Sequence, residues 1–382
     1  MTEQPKKCQC CGEAVPALGN LPQGNLCDKC KDNPARQEFF NNTKSAFYGV
    51  PIEYLEDLKK LAIDPEIENR LLDDINRTIK NDDVVVEDTF HAGLSTYIDP
   101  FNLCHKGKSG IGKTYNTTGV MDYFPEEDVI QIGSQSPKVV SHDYGELMTV
   151  DENGEEVPFN FEDAPRQPKR REYDSSESYK DAYDAYRIEQ KAWEQKVKKS
   201  FHLIKLAGKA FVFLDTISRE TFEMFKCVLS HDKGVFNGKP KRIVHKFVDD
   251  KGKVHVAVLE GYPSAIFCTV DKDFLEEFAT RTFTDTPGDG KNKIQAAQEV
   301  TDQKTSFPWE YETATKEKTL IKALVRSIRD TIKQYDLKMV KPFPNLRNLI
   351  KFSNEAVRDM RDYEHFNQML PTYTEFKLSN VL

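Results

Sequence analysis

Two short, unbroken apolar runs interrupt an otherwise polar chain, at 211–214 in KAFVFLDT and at 265–268 in SAIFCT. Runs of this length between polar residues predict strands buried on both faces, as in a parallel sheet. Between them the pattern changes to strict alternation in RIVHKFV and KVHVAVL, joined by DDKGK. That period predicts a β-hairpin with Asp249, Asp250, Lys251, Gly252 and Lys253 at its tip. Before residue 95 the spacing becomes three and four. NPARQEFFNNTKSAFYG and PIEYLEDLKKLAIDPEIENRLLDDINRTI read as helices broken at Pro51 and Pro65. The C-terminal stretch beginning KTLIKALVRSIRDTI has the same helical period, and 284–308 reads as a joint leading to it. The pattern predicts an α/β fold in four parts: 1–33, a helical lead-in at 34–94, a core at 95–290 and a helical region at 291–382.

Charge and length narrow the picture. With 382 residues the chain exceeds a usual single core, so one large domain with a small appended one is expected. A net charge of −8 argues against a surface coated with nucleic-acid contacts, so any such contact must be focal. No apolar run approaches the roughly 18 residues of a membrane span, and MTEQPKKCQC lacks a signal-peptide core. The expectation is a cytoplasmic protein without a membrane partner, at a nucleoid or a viral replication site. Residues 151–200 form a charged insertion that begins acidic, passes through Lys169, Arg170 and Arg171, and ends in a helix with Tyr183, Tyr186 and Trp193. The basic cluster reads as a solvated loop, an import signal or a phosphate patch. The helix reads as a protruding arm.

Five of the eight cysteines fall in the first thirty residues. Cys8-x2-Cys11 and Cys27-x2-Cys30 are two turns fifteen residues apart, each able to aim two thiolates at one ion. Together they make the tetrahedral donor set of a structural Zn2+ site, with Cys10 as a competitor for a place in it. A bound zinc would replace the core that so short a segment cannot build. Cys104, Cys227 and Cys268 sit singly in apolar surroundings and are expected to be buried.

The chemistry is densest at GKSGIGKT, where Gly107, Lys108, Ser109, Gly110, Ile111, Gly112, Lys113 and Thr114 fit G-x-x-x-x-G-K-[ST]. Glycines there let main-chain NH groups wrap phosphates, with the positive end of a following helix behind them. Lys113 would meet the β- and γ-phosphates of ATP and Thr114 would hold Mg2+. Asp215, about a hundred residues on at the end of FVFLD, is the expected second magnesium ligand. Thr216 follows, where many ATPases of this type place a glutamate; Glu220 or Glu223 is the substitute. Thr269, ending SAIFCT, is placed to orient water or touch the γ-phosphate. Arg281, twelve residues later, reads either as a group reaching a neighbouring subunit's nucleotide or as a salt-bridge partner of Glu276 or Glu277. Lys251 and Lys253 read either as phosphate contacts or as a solvated hairpin end.

In GKSGIGKT, FVFLD, the hairpin before AIFCT, and ATRTF, the chain resembles AAA+ ATPases. Within that class it is similar to the minichromosome-maintenance-like helicase modules found with primases and in mobile elements. The resemblance spans about residues 95 to 370. It implies a P-loop AAA+ core with an inserted hairpin, a helical lid and, N-terminal to them, the zinc module. It further implies ATP held between the subunits of a homo-oligomer, a hexameric ring, that moves along single-stranded or forked DNA in replication, with a primase or polymerase as associate. In VKPFPNLRNL and VRDMRDYEHF, Arg358 and Arg361 are the lid arginines the resemblance offers as nucleotide sensors. The competing expectation is a nucleotide-switched assembly or regulator protein that separates no strands.

Overall fold

The computed structural model describes residues 19–21, 24–26, 54–133, 145–216, 219–229, 242–248, 254–270, 281–335 and 372. Near the N-terminus β1 (Gly19–Leu21) pairs antiparallel with β2 (Gly24–Leu26), Leu21 opposite Gly24. The four zinc-ligand candidates, Cys8, Cys11, Cys27 and Cys30, lie outside the described residues.

Helices α1 (Leu55–Ala62), α2 (Ile67–Ile75) and α3 (Asp83–Ser95) follow. Ile67, Leu71 and Ile75 recur every fourth residue and give α2 one buried stripe. α3 is buried over nearly its whole length, from Val85 to Ser95, because it crosses a face of the central sheet. The remaining elements run β3 (Leu103–Lys106), α4 (Lys113–Met121), β4 (Val129–Ile132), β5 (Glu146–Val150), β6 (Glu156–Pro158) and α5 (Ser176–Lys198). After them come β7 (Phe201–Lys205), β8 (Ala210–Phe213), α6 (Arg219–Leu229), β9 (Arg242–Val248), β10 (Val254–Glu260), β11 (Ser264–Thr269) and β12 (Phe283–Asp285). Helices α7 (Lys291–Ser306) and α8 (Lys316–Tyr335) complete the described elements.

The architecture is α/β. Five strands in the order β12-β3-β11-β8-β4 form an all-parallel sheet with helices on both faces. Successive side chains of a strand take opposite faces. Ala210 and Val212 accordingly enter a core shared with α1 to α4 and α8, whereas Phe211 and Phe213 enter a second core with α6. Phe213 stacks on Phe267 of β11 at 4.7 Å between centroids. Sheets covered on both faces need continuous apolar strands, and β8 and β11 are buried at every position.

A second, mixed sheet has the order β6-β5-β7-β10-β9. The hairpin β9–β10 joins it through β7, which lies parallel to β10, and the charged stretch between β6 and β7 projects from it as α5. The hairpin tip, with Lys251 and Lys253, lies outside the described residues, as do Arg358 and Arg361. α8 docks through Leu320, Ile321, Leu324 and Val325 and through Arg329, whose Nη1 donates to Glu127 Oε1 (2.9 Å) and Asp128 Oδ2 (2.8 Å). Among the described residues no helix is long and apolar enough to cross a membrane. Cys104 and Cys268 are buried, but Cys227 is exposed: with Glu223, four residues earlier, it lies on the outward stripe of amphipathic α6.

Candidate functional site

The glycine-rich loop leaves the C-terminal end of β3 and enters α4. Gly112, at the helix N-cap, has φ +95°, a conformation open to glycine at little cost. Gly107 has φ +152°, and a Cβ there would press on the tip of the Ile111 side chain, which would have to move. Lys113 is 7% exposed, and its Nζ turns back to donate to the carbonyls of Gly107 and Lys108, both at 2.7 Å. Burial holds this ammonium below the usual lysine range. The positive charge thus sits inside the curve of the loop, at the N-terminal end of α4, where an anion gains from both.

Three parallel strand ends converge here. Because β11 lies between β3 and β8, Thr269 pairs in register with Lys106, and the Gly107 NH donates to the Thr269 carbonyl at 3.4 Å. Thr114 Oγ1 donates to the carbonyl of Leu214, next to Asp215, at 3.1 Å. Asp215 Oδ1 accepts the Thr216 NH at 2.7 Å, and the Thr216 and Thr269 hydroxyls are 3.3 Å apart. The Asp215 carboxylate and the Thr114 hydroxyl, both exposed at this edge, are hard oxygen donors of the kind magnesium takes while keeping several waters. Lys113 with Thr114, Asp215 and Thr269, from three separate parts of the sequence, therefore share one sheet edge.

Two other expected residues lie elsewhere. Glu220 is exposed in the first turn of α6, and among the described residues no hydrogen bond joins it to Asp215, Thr216 or Thr269. Arg281 precedes β12, whose Phe283 pairs with Leu103, so it stands at the sheet edge opposite the loop. Six residues of strand separate the two levels, about 20 Å. Its carbonyl accepts from Asn102 Nδ2 at 3.0 Å. It does not serve this chain's own loop.

Beside the loop opens a cavity of about 910 Å³ that the sequence reading missed. Ile79, Ile111, Ile294 and Val300 supply apolar walls, and Ser109, Gly110 and Gly112 of the glycine-rich loop form one side. Asp82, 5% exposed, holds its frame together. Its carboxylate accepts from the Gly288 NH (2.9 Å) and Asn116 Nδ2 (2.5 Å) and pairs with Lys293, whose Nζ also donates to the Ile111 carbonyl at 2.8 Å. The available signal was NDDVVV, which reads as a helix start; yet Asp82, at the N-cap position, makes no side-chain cap and reaches across to α4 and α7 instead.

Directly behind the loop strand lies a buried polar cluster. His105 is fully buried, with Nδ1 against Asp285 Oδ1 and Nε2 2.9 Å from Thr89 Oγ1. Thr89 Oγ1 also donates to the Val85 carbonyl at 2.6 Å. Burial, then the Asp285 charge, raises the Asp88 carboxyl to about 7. The chain matches no protein-family model and no curated protein.

Proposed function

We propose that this protein is a P-loop ATPase of AAA+ type that couples ATP binding and hydrolysis to movement on DNA. The observation that carries the reading is the convergence of Lys113, Thr114, Asp215 and Thr269 on one edge of three adjacent parallel strands, around a loop of glycines. The loop's NH groups and the Lys113 ammonium bind the triphosphate; the adjoining cavity, within the size range of small-molecule pockets, takes the base and ribose. Magnesium, when bound by Thr114 and Asp215, neutralises charge on the β- and γ-phosphates. Thr269 orients the attacking water from between the loop strand and the acid strand. Arg281, on the far edge, contributes positive charge to a neighbouring subunit's nucleotide, which requires a homo-oligomer, a hexameric ring in this reading. Lys251 and Lys253 grip a DNA strand in the channel, Arg361 senses nucleotide from the lid, and zinc at Cys8, Cys11, Cys27 and Cys30 holds the N-terminal module. These last assignments rest on sequence pattern and resemblance.

The test is phosphate release with and without single-stranded DNA, alongside strand separation on a forked substrate. DNA-stimulated hydrolysis that disappears in Lys251→Ala, Lys253→Ala, together with unwinding, is the expected result; hydrolysis indifferent to DNA and no unwinding by the assembled ring would overturn the motor reading. One observation favours a second reading. Thr216 occupies the place of a catalytic carboxylate and bonds to Thr269, and Glu220 makes no hydrogen bond to the site among the described residues. Slow hydrolysis suits a nucleotide-switched assembly protein, which would bind ATP, change oligomeric state and separate no strands.

A further inference from the structure

Helix α5 runs for 23 residues without a single buried one. It is secured at its ends. Ser175 caps it by accepting from the Ser178 NH at 3.0 Å, and Thr149 Oγ1 donates to the Lys196 carbonyl at 2.8 Å, near where Trp193 lies 6.3 Å from Phe159. The half-buried face of its middle, continuous with Trp193, carries an ordered aromatic stripe. Tyr179, Tyr183 and Tyr186, spaced four and three residues apart, share one face with ring centroids 6.0 and 5.9 Å apart. Tyr173 extends the series, 5.9 Å from Tyr179, and the Arg170 guanidinium lies 6.0 Å over the Tyr179 ring.

Both signs of charge border that stripe. Lys180, three residues before Tyr183, and Arg187, four after it, flank the tyrosines; both are exposed, and neither forms an ion pair among the described residues. Glu177, Asp181 and Asp184 point away from the tyrosines, Asp184 lying next to both cations at four and three residues' spacing, with Glu189 at the opposite margin. Between residues 176 and 186 there is no Leu, Ile, Val or Met, the anchors a packing helix would present. Half-exposed aromatic rings bordered by exposed cations match the chemistry of a single strand, whose bases stack and whose phosphates attract ammonium and guanidinium groups.

We propose that the tyrosine face of α5 is a platform for single-stranded nucleic acid, separate from the hairpin: bases stack on Tyr179, Tyr183 and Tyr186 while Lys180 and Arg187 meet phosphates. The proposal shares the nucleic-acid partner of the reading above but needs neither ATP nor the phosphate loop. Its test is fluorescence anisotropy of a labelled oligothymidylate, without nucleotide, on the full chain carrying Lys251→Ala and Lys253→Ala to silence the hairpin. Adding Tyr179→Ala, Tyr183→Ala and Tyr186→Ala, with helicity checked by circular dichroism, is expected to weaken binding about tenfold or more. The three Tyr→Phe changes, which keep the rings, leave it within about twofold. Lys180→Gln with Arg187→Gln, which keeps every tyrosine, lowers the slope of log affinity against log salt by about 1.4, two single-strand phosphate contacts. Unchanged affinity in the alanine and glutamine variants overturns the proposal. So does loss of self-association in the alanine variant with DNA affinity intact, which assigns the stripe to a protein partner. Failure of the ATPase reading registers separately, in nucleotide binding, and leaves these titrations unaffected.

Discussion

Asp82→Ala probes the frame of the cavity. The side chain is 1% exposed and links three segments: α4 through Asn116, the turn before α7 through the Gly288 NH, and α7 itself through Lys293. Removing one member of a buried ion pair costs about 3–5 kcal/mol, chiefly because the other charge is stranded. Lys293 is 13% exposed and keeps the Ile111 carbonyl, so its ammonium reaches water and the loss falls at the low end, about 3 kcal/mol. That corresponds to roughly 6–12 °C in melting temperature for a domain of 150–250 residues. Asp82→Asn keeps an acceptor for the Gly288 NH but loses the pair, and is expected to cost about 2 kcal/mol. Thermal unfolding without nucleotide reads both. Lys293→Met added to Asp82→Ala changes little further, because the interaction is already gone. A fluorescent ATP analogue is expected to bind Asp82→Ala more weakly, since α7 loses its hold beside the glycine-rich loop. Melting within 1 °C of the parent, or full additivity of Asp82→Ala and Lys293→Met, would refute the reasoning.

A pH effect follows from Asp88. Its folded-state value, about 7, lies above the unfolded 3.8, so its contribution favours the fold below pH 3.8 and is lost as pH rises through about 7. Asp88→Asn, which does not titrate, is therefore expected to be more stable than the parent at pH 8 by a few kcal/mol (order of magnitude), the gap closing toward pH 4; a gap independent of pH counts against the assignment. For the N-terminal module, metal analysis of purified protein is expected to find about one zinc per chain, lost in Cys27→Ser with Cys30→Ser; a metal-free, fully folded parent contradicts the reading of those cysteines.

The parts of the fold that were legible are those whose signal is local. β8 and β11 announce themselves because strands buried on both faces must be continuously apolar, and the β9–β10 hairpin by its alternation. The glycine-rich loop is legible because it takes positive φ at glycines, Gly107 and Gly112 among them. β4, VIQI, is too short to stand out, and β5 to β7 take their strand character from partners in the second sheet rather than from their own pattern. The cavity was hidden for a different reason. α7 buries only Val300, so KNKIQAAQEVTDQKTS reads as a polar connector although it lines the cavity. Asp82, Asn116, Gly288 and Lys293 meet only once the chain has folded across some two hundred residues.

The central claim is that a magnesium-bound triphosphate sits between the Lys113 ammonium and the Asp215 carboxylate. Isothermal titration of the protein with magnesium and a slowly hydrolysed ATP analogue tests it most directly, comparing the parent with Lys113→Ala and Asp215→Ala at equal melting temperature. Saturable binding by the parent, weakened at least about a hundredfold without the Lys113 charge-assisted contacts and made insensitive to magnesium without Asp215, is the predicted result. Equal affinity in all three proteins, or magnesium dependence that survives Asp215→Ala, would contradict it.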